Sequence, residues 1–314
     1  MKRPRRELLE RILHTEVRNI TPYRRNWYIE TAQMHWIAKR MHTGRLQWWC
    51  RVDNELRQRG FQAMLPICSD GQNWLLTPFI KGKSGKYSRL EDVKSMVKIL
   101  AAFHQTGREL WTPPRKEAAF LLYQRVAERL ARFYQVLRRV NKVEGDLGKL
   151  LVKVGKDFYL EGLRCWEKLE RLPLKEFCYQ EYERRCLAHR DLASHNWLIG
   201  EDRTIWLIDF ETADYDCQAG DVWQMASRML TENDWNEDCG EMFLNAYESV
   251  RPLSWLEKKI IATLFQFPND FFREVVGLAE KKRNFYTQHS LPYLVKIIEH
   301  RDKWKEFCKG IVYW

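Results

Sequence analysis

An α+β fold in two unequal lobes is predicted by three observations. The first 80 residues alternate short β-rich runs with one amphipathic helix. From about residue 90 long stretches keep helical spacing, and inside them a single pair of short strands appears around Gly200. With 314 residues, 45% of them hydrophobic and 13% aromatic, the chain can bury a large core, which excludes an intrinsically disordered protein.

Taken in order, residues 26–31 and 35–41 are rich in aromatic and β-branched side chains about a polar turn, which predicts a hairpin. Residues 45–59 carry Trp48, Val52 and Leu56 at i, i+4 and i+8 and stop at Gly60, the pattern of an amphipathic helix. Two apolar runs, 61–67 and 73–80, complete a small sheet. Residues 1–80 are therefore expected as the smaller lobe and 81–314 as the larger. Helical spacing covers 89–104, 116–140, 147–172, 254–280 and 292–308, with strands at 196–199 and 204–208 joined by the turn 200–203.

Lys and Arg number 53 against 42 Asp and Glu, a net charge of +11. The excess is concentrated: residues 113–190 hold 18 basic and 11 acidic side chains. A basic balance suits a solvated face, nucleic acid or an anionic substrate. No nucleic-acid recognition module is visible, so nucleic acid is not an expected partner. No apolar run is long enough to span a bilayer and residues 1–11 alternate charges, so a soluble, unsecreted protein with no membrane association is expected. The eight cysteines form no CxxC pair or zinc-like spacing and read as reduced thiols.

The chemistry is concentrated in His189-Arg190-Asp191-Leu192-Ala193-Ser194-His195-Asn196 and Ile208-Asp209-Phe210-Glu211. A carboxylate beside an attacking hydroxyl can orient it and accept its proton, the part read for Asp191. An amide oxygen and a second carboxylate, Asn196 and Asp209, suit Mg²⁺ bridging the phosphates of ATP. The predicted hairpin would bring these two to one end of adjacent strands. The bland alternative is that Asp191 and Asn196 only cap a turn.

The order HxDxxxxN followed by IDF resembles the catalytic loop and metal motif of kinases, and the resemblance implies a bilobal protein-kinase-like fold. By it, Lys39 in Trp36-Ile37-Ala38-Lys39 becomes the strand lysine that grips nucleotide phosphates, with Glu55 as its ion-pair partner. Residues 74–80 become the hinge, where Thr77, Phe79 and Ile80 would meet the nucleotide base. Asp221 follows Glu211 by only ten residues and no APE motif is present, a pattern similar to aminoglycoside and choline kinase-like phosphotransferases. Towards the C-terminus, residues 247–254, Glu257 and residues 265–272 resemble the spore coat kinase-like proteins of the CotS family. That resemblance implies ATP and Mg²⁺ as cofactors and a small hydroxylated acceptor, anionic or neutral more than polycationic given the basic insert. It further implies a place in the cytoplasm or spore coat, and other coat proteins as partners. The alternative is a catalytically silent, kinase-fold coat protein.

Three departures stand out. No glycine precedes Gly44, so the turn 21–26 would cover the phosphates with Tyr23, Arg24 and Arg25, either as solvated arginines or as side-chain phosphate ligands. Arg190 places bulk beside the base, where small-molecule enzymes often have glycine. Residues 82–87 resemble a P-loop, but the glycine spacing is wrong and Tyr87 follows Lys86. They read as a flexible basic turn. His104 reads as a core histidine.

Overall fold

Alternating apolar and polar residues pair into hairpins at the N-terminal end, and their turns set the register. The computed structural model, which describes residues 2–115, 120–283 and 285–311, opens with α1 (Arg6–Leu13), β1 (Val17–Tyr23), β2 (Asn26–Thr31) and β3 (His35–Arg40). After α2 (Thr43–Gln58) come β4 (Cys68–Ser69) and β5 (Trp74–Pro78), which close an antiparallel sheet in the order β1-β2-β3-β5-β4. The hairpin expected at 26–41 is β2–β3, with Trp27 opposite Ala38. Strand β1 went unread because Pro22 and the arginines signal a turn. It pairs with β2 up to Tyr23 opposite Asn26, leaving Arg24-Arg25 as a two-residue turn with Arg24 at φ 53°. Residues 61–67 are not a strand. Phe61 and Met64 are buried by packing, and the segment touches a strand only where Met64 bridges Leu207.

The sheet's neighbours divide its core in two. Leu9 of α1 packs with Val17, Ile20, Ile29, Ala38, Trp74 and Leu76 in one small cluster. The stripe Trp48, Val52 and Leu56 of α2 joins the large core that continues through the helical lobe. Helix α2 is therefore anchored to both lobes. Arg45 donates to the carbonyls of Phe210 (2.9 Å) and Ala213, and the Trp48 indole donates to Pro113 O at 3.0 Å.

The larger lobe follows with β6 (Gly82–Ser84), α3 (Leu90–Thr106), α4 (Leu122–Arg138), α5 (Gly145–Leu150), α6 (Lys156–Arg171), α7 (Leu174–Glu183), β7 (Leu187–Ala188), β8 (Trp197–Gly200), β9 (Ile205–Leu207) and β10 (Asp214–Tyr215). It ends with α8 (Ala219–Glu232), α9 (Glu237–Glu248), α10 (Trp255–Leu264), α11 (Asn269–Ala279), α12 (Thr287–Glu299) and α13 (Arg301–Gly310). The helix expected over 116–140 begins at Leu122, its first four residues lying outside those described. The stretch 147–172 is α5 and α6 joined by a π-helical segment at 151–155, and 254–280 divides into α10 and α11 around Pro268. Helix α12 starts before Pro292 and runs through it. Helix α8 was not read from the sequence; ten of its fourteen residues are buried, and its polar stripe is narrow, carried by Gln224, Ser227, Arg228 and Glu232.

Residues 82–87 are not a flexible turn. Gly82 to Ser84 pair with β8, and a Cβ at Gly82 would sit 2.3 Å from Ile199 O, so only glycine allows this approach. Tyr87 is buried and donates its hydroxyl to Leu192 O at 2.6 Å. All eight cysteines are free thiols. Among the described residues no helix is long and apolar enough to cross a membrane.

Candidate active site

The loop between β7 and β8 is suspended from one buried carboxylate. Asp221, in the first turn of α8, accepts the backbone N–H groups of His189 (2.6 Å) and Arg190 (2.8 Å) and meets His104 Nε2 at 3.1 Å. Burial disfavours its charge, but the hydrogen bond and field from His104, with His189, outweigh that cost, so the carboxyl lies below its usual range. Burial pushes the pKa values of His104 and His189 down, which keeps both imidazoles neutral at pH 7. An ionised Asp221 requires the His104 proton on Nε2. Nδ1 then accepts from the Tyr247 hydroxyl at 2.8 Å, and that oxygen in turn accepts from Arg251, which pairs with Glu257 at 2.5 Å. A polar chain thus runs from the loop to α10 through a dry core.

His189 sets the loop's direction. Its Nε2 meets Ile208 O at 3.0 Å, leaving Nδ1 to accept the Asp191 N–H at 3.4 Å. Arg190 and Asp209 hold φ near 70° and 66°, left-handed values that non-glycine residues tolerate only where surrounding contacts compel them. Buried Asn196 donates its amide to Asp191 O (2.8 Å) and approaches Asp191 Oδ2 (3.3 Å), so its amide oxygen is the end left for a cation.

The β8–β9 hairpin pairs Trp197 with Leu207, and the Ile208 N–H donates to Asn196 O at 2.9 Å. Asp209 therefore emerges beside Asn196. From the opposite lobe, Lys39 on β3 reaches Asp209 Oδ1 at 2.6 Å and Glu211 Oε1 at 2.8 Å. Burial opposes the Asp209 charge, but the Lys39 ammonium and its hydrogen bond more than compensate, leaving the carboxyl below its ordinary range. Lys39, Asn196 and Asp209 line one cavity of about 330 Å³, a volume suited to a nucleotide-sized ligand. Thr77, Phe79 and Ile80 line it as well. The Phe79 N–H is already given to His35 O (2.8 Å), so Phe79 offers its ring, wedged against Tyr23 and Tyr28, and no free donor.

Glu55 lies elsewhere. Its carboxylate accepts the N–H groups of Trp111 (2.6 Å) and Thr112 (3.0 Å) and the Thr112 hydroxyl (2.9 Å), and pairs with Arg59 at 2.7 Å. The expected Lys39–Glu55 ion pair is therefore absent, because Glu55 sits on the side of α2 that faces the larger lobe. Asp53 is the α2 carboxylate in the cavity wall, and it is held bidentately by Arg57.

A profile of the phosphotransferase enzyme family, abbreviated APH, matches residues 23–256. The chain belongs to this family. Solved structures share its fold at low identity. An aminoglycoside phosphotransferase from Alicyclobacillus acidocaldarius superposes with a TM-score of 0.78 at 15% identity, covering 95% of this chain and 92% of the other. A spectinomycin phosphotransferase in complex with ADP and spectinomycin gives 0.66 at 13%, covering 98% of each. A choline kinase from Streptococcus pneumoniae gives 0.53 at 15%, again over 98% of each. The chain thus has the aminoglycoside and choline kinase-like fold.

Within this phosphotransferase fold, three features went unread in the sequence. Glu211 shares Lys39 with Asp209, and the i, i+2 spacing of the two acids was the available signal. Trp49 stacks on Phe210 with ring centroids 4.4 Å apart, a pairing across lobes that no local pattern announces. Asp221 was noted for its spacing, but its work as the loop's anchor required the fold. Among the described residues no three His, Cys, Asp or Glu side chains gather as a metal site; Asn196, Asp209 and Glu211 are the oxygen donors beside Lys39, and the other carboxylate in the cavity wall, Asp53, is paired with Arg57.

Proposed function

We propose that this protein transfers the γ-phosphoryl group of ATP to a hydroxyl of a small acceptor. The observation that supports this most is the convergence of Lys39, Asn196 and Asp209 on one cavity, with the Asn196 amide donating to the Asp191 carbonyl. Asp191 orients the acceptor hydroxyl and takes its proton. The acceptor oxygen bonds to the γ-phosphorus as the bond to the bridging oxygen breaks, and ADP leaves with that electron pair. Asp209 and the Asn196 amide oxygen are hard oxygen donors that fit Mg²⁺, which when bound neutralises phosphate charge. Lys39 exchanges its carboxylate partners for phosphate oxygens. Nucleotide use is further supported by the ADP complex of the spectinomycin enzyme.

The acceptor is anionic or neutral, in keeping with the basic stretch 113–190. The tail's resemblance to the CotS family supports association with the spore coat and its proteins, testable by imaging a fluorescent fusion during sporulation. A catalytically silent coat protein is favoured by one feature: Tyr23 and Arg24 border the cavity in place of a glycine-rich loop. Calorimetric titration with ATP, with and without Mg²⁺, decides between the two. Mg²⁺-dependent binding that is lost in Asp209→Ala, with product formed from a metabolite pool, fits the transferase; no nucleotide binding in the wild type leaves the silent protein.

A further inference from the structure

A second cavity, of about 570 Å³, shares no wall residue with the nucleotide cleft and reaches Arg190, the residue before Asp191. Its wall carries Arg125, Arg129, Arg132, Arg190, Arg273 and Lys282 against one carboxylate, Glu128. A smaller space of about 80 Å³ shares Arg125, Arg129 and Arg190 and adds Gln224, whose Oε1 accepts the Leu192 N–H at 2.6 Å. The residues on both sides of Asp191 are therefore tied to this basic region.

Four of the six cations have a carboxylate oxygen within 3 Å: Arg125 with Asp216 (2.7 Å), Arg132 with Glu128 (2.7 Å), Arg273 with Glu274 (2.8 Å) and Lys282 with Glu280 (2.8 Å). The other two are less well matched. Arg129 donates to the neutral Asn269 Oδ1 at 2.5 Å. The Arg190 side chain is only 9% exposed; Nη2 donates to Phe120 O, but Nε and Nη1 have no hydrogen-bond partner, and Asp216 and Asp214 stand 3.5 and 3.9 Å away. Burial, followed by the neighbouring Arg273, pushes the Arg129 pKa down to about 10. Buried guanidinium groups in such company are costly unless an anion completes their hydrogen bonds.

We propose that this cavity is the anion subsite of the acceptor, holding the phosphate of a small phosphorylated sugar or polyol while a hydroxyl of the same molecule meets Asp191. The inference deepens the phosphotransferase reading and rests on it. Planar guanidinium forks match phosphate oxygens two at a time, and a cavity of about 570 Å³ has room for a sugar phosphate. A polycationic acceptor has no free carboxylate to meet here beyond those already paired with these cations, whereas a phosphate can complete the hydrogen bonds that Arg190 leaves open.

The test is calorimetry on the full chain with Mg²⁺ and a non-hydrolysable ATP analogue. The probes are glucose 6-phosphate and glycerol 2-phosphate, their neutral parents glucose and glycerol, and cationic spectinomycin. The phosphorylated probes are expected to bind at least about 10-fold tighter than their parents, and Arg129→Gln to weaken them about 10- to 100-fold with ADP affinity unchanged. Arg132→Gln, at a half-exposed position where folding is not at stake, is expected to weaken them less. Equal binding of neutral or cationic probes, or indifference to both substitutions, overturns the subsite. So does binding of a phosphoserine peptide with neither small phosphate bound. Phosphate probes that bind and are lost in the variants, in a protein that never binds ATP, uphold the subsite and overturn the transferase reading. Transfer to neutral sugars with no preference for phosphorylated ones does the reverse.

Discussion

The two walls of the cleft around Lys39 and Asp209 are held by different kinds of interaction. On the side of the larger lobe, the β7–β8 loop hangs from Asp221 through hydrogen bonds sealed in the core, continued by His104, Tyr247, Arg251 and Glu257. On the side of the smaller lobe, Lys39 meets Asp209 and Glu211 through ion pairs whose side chains are between 22% and 47% exposed. A buried network costs several kcal/mol to break, whereas pairs this accessible to water are worth at most about 1 kcal/mol each. In the proposed mechanism, the fixed wall would preserve the geometry of Asp191, and the exchangeable wall would surrender its partners to incoming phosphates at little cost.

The contrast can be broken most directly at Asp191 itself. Asp191→Asn is expected to lower kcat about 10²- to 10⁴-fold with nucleotide affinity retained. Turnover near that of the wild type in a coupled ADP-release assay would remove Asp191 from the chemistry. Next in size, Asp221→Ala strands two buried N–H groups and an imidazole. A loss of roughly 3–5 kcal/mol in urea unfolding is expected, together with lost activity. A stable variant of normal activity would show that the loop does not depend on its anchor. Glu55→Gln sharpens the assignment of α2: a loss of about 1–3 kcal/mol in stability is expected, with the KM for ATP little changed. A large rise in KM without loss of stability would restore a Lys39 partnership for Glu55.

The smallest expected effect is on pH dependence. His104 and His189 have pKa values held below the ordinary 6.5 by burial, so the unfolded chain binds their protons more readily than the folded one. Their contribution is complete above about pH 6.5 and is lost as the pH falls below it. Asp221, depressed in the fold, contributes above the ordinary carboxylate pKa and loses its contribution only at lower pH. Thermal unfolding followed from pH 7.5 to 5.5 should show a falling Tm, with a shallower fall in His104→Gln. A Tm that rises on acidification is incompatible with neutral buried imidazoles.

Legibility in the sequence followed the range of the interaction. The β2–β3 and β8–β9 hairpins, α2 and α3 could be placed because alternation, a 3.6-residue stripe and turn residues are local. Asp191, Asn196 and Asp209 could be singled out as candidates because three residue types suited to phosphoryl transfer stand at the spacing of a kinase-like motif. Glu55 was misassigned because a glutamate among the buried residues of a helix does not reveal which lobe it faces. That is decided by the carboxylate's three donors at Trp111 and Thr112, more than fifty residues away. Strand β6 was hidden because its partner lies at Gly200 and its signal, glycine, also marks loops.

By itself, then, the sequence determined the lobes' composition, the loop–hairpin motif and the concentration of positive charge between residues 113 and 190. Only the tertiary structure decided which carboxylates meet Lys39, what anchors the loop carrying Asp191, and that Arg125, Arg129, Arg132 and Arg190 converge with Arg273 on one cavity. Periodicity and turn chemistry act over a few residues. Ion pairing and burial are settled by groups distant in the chain, whose positions exist only once the core has closed.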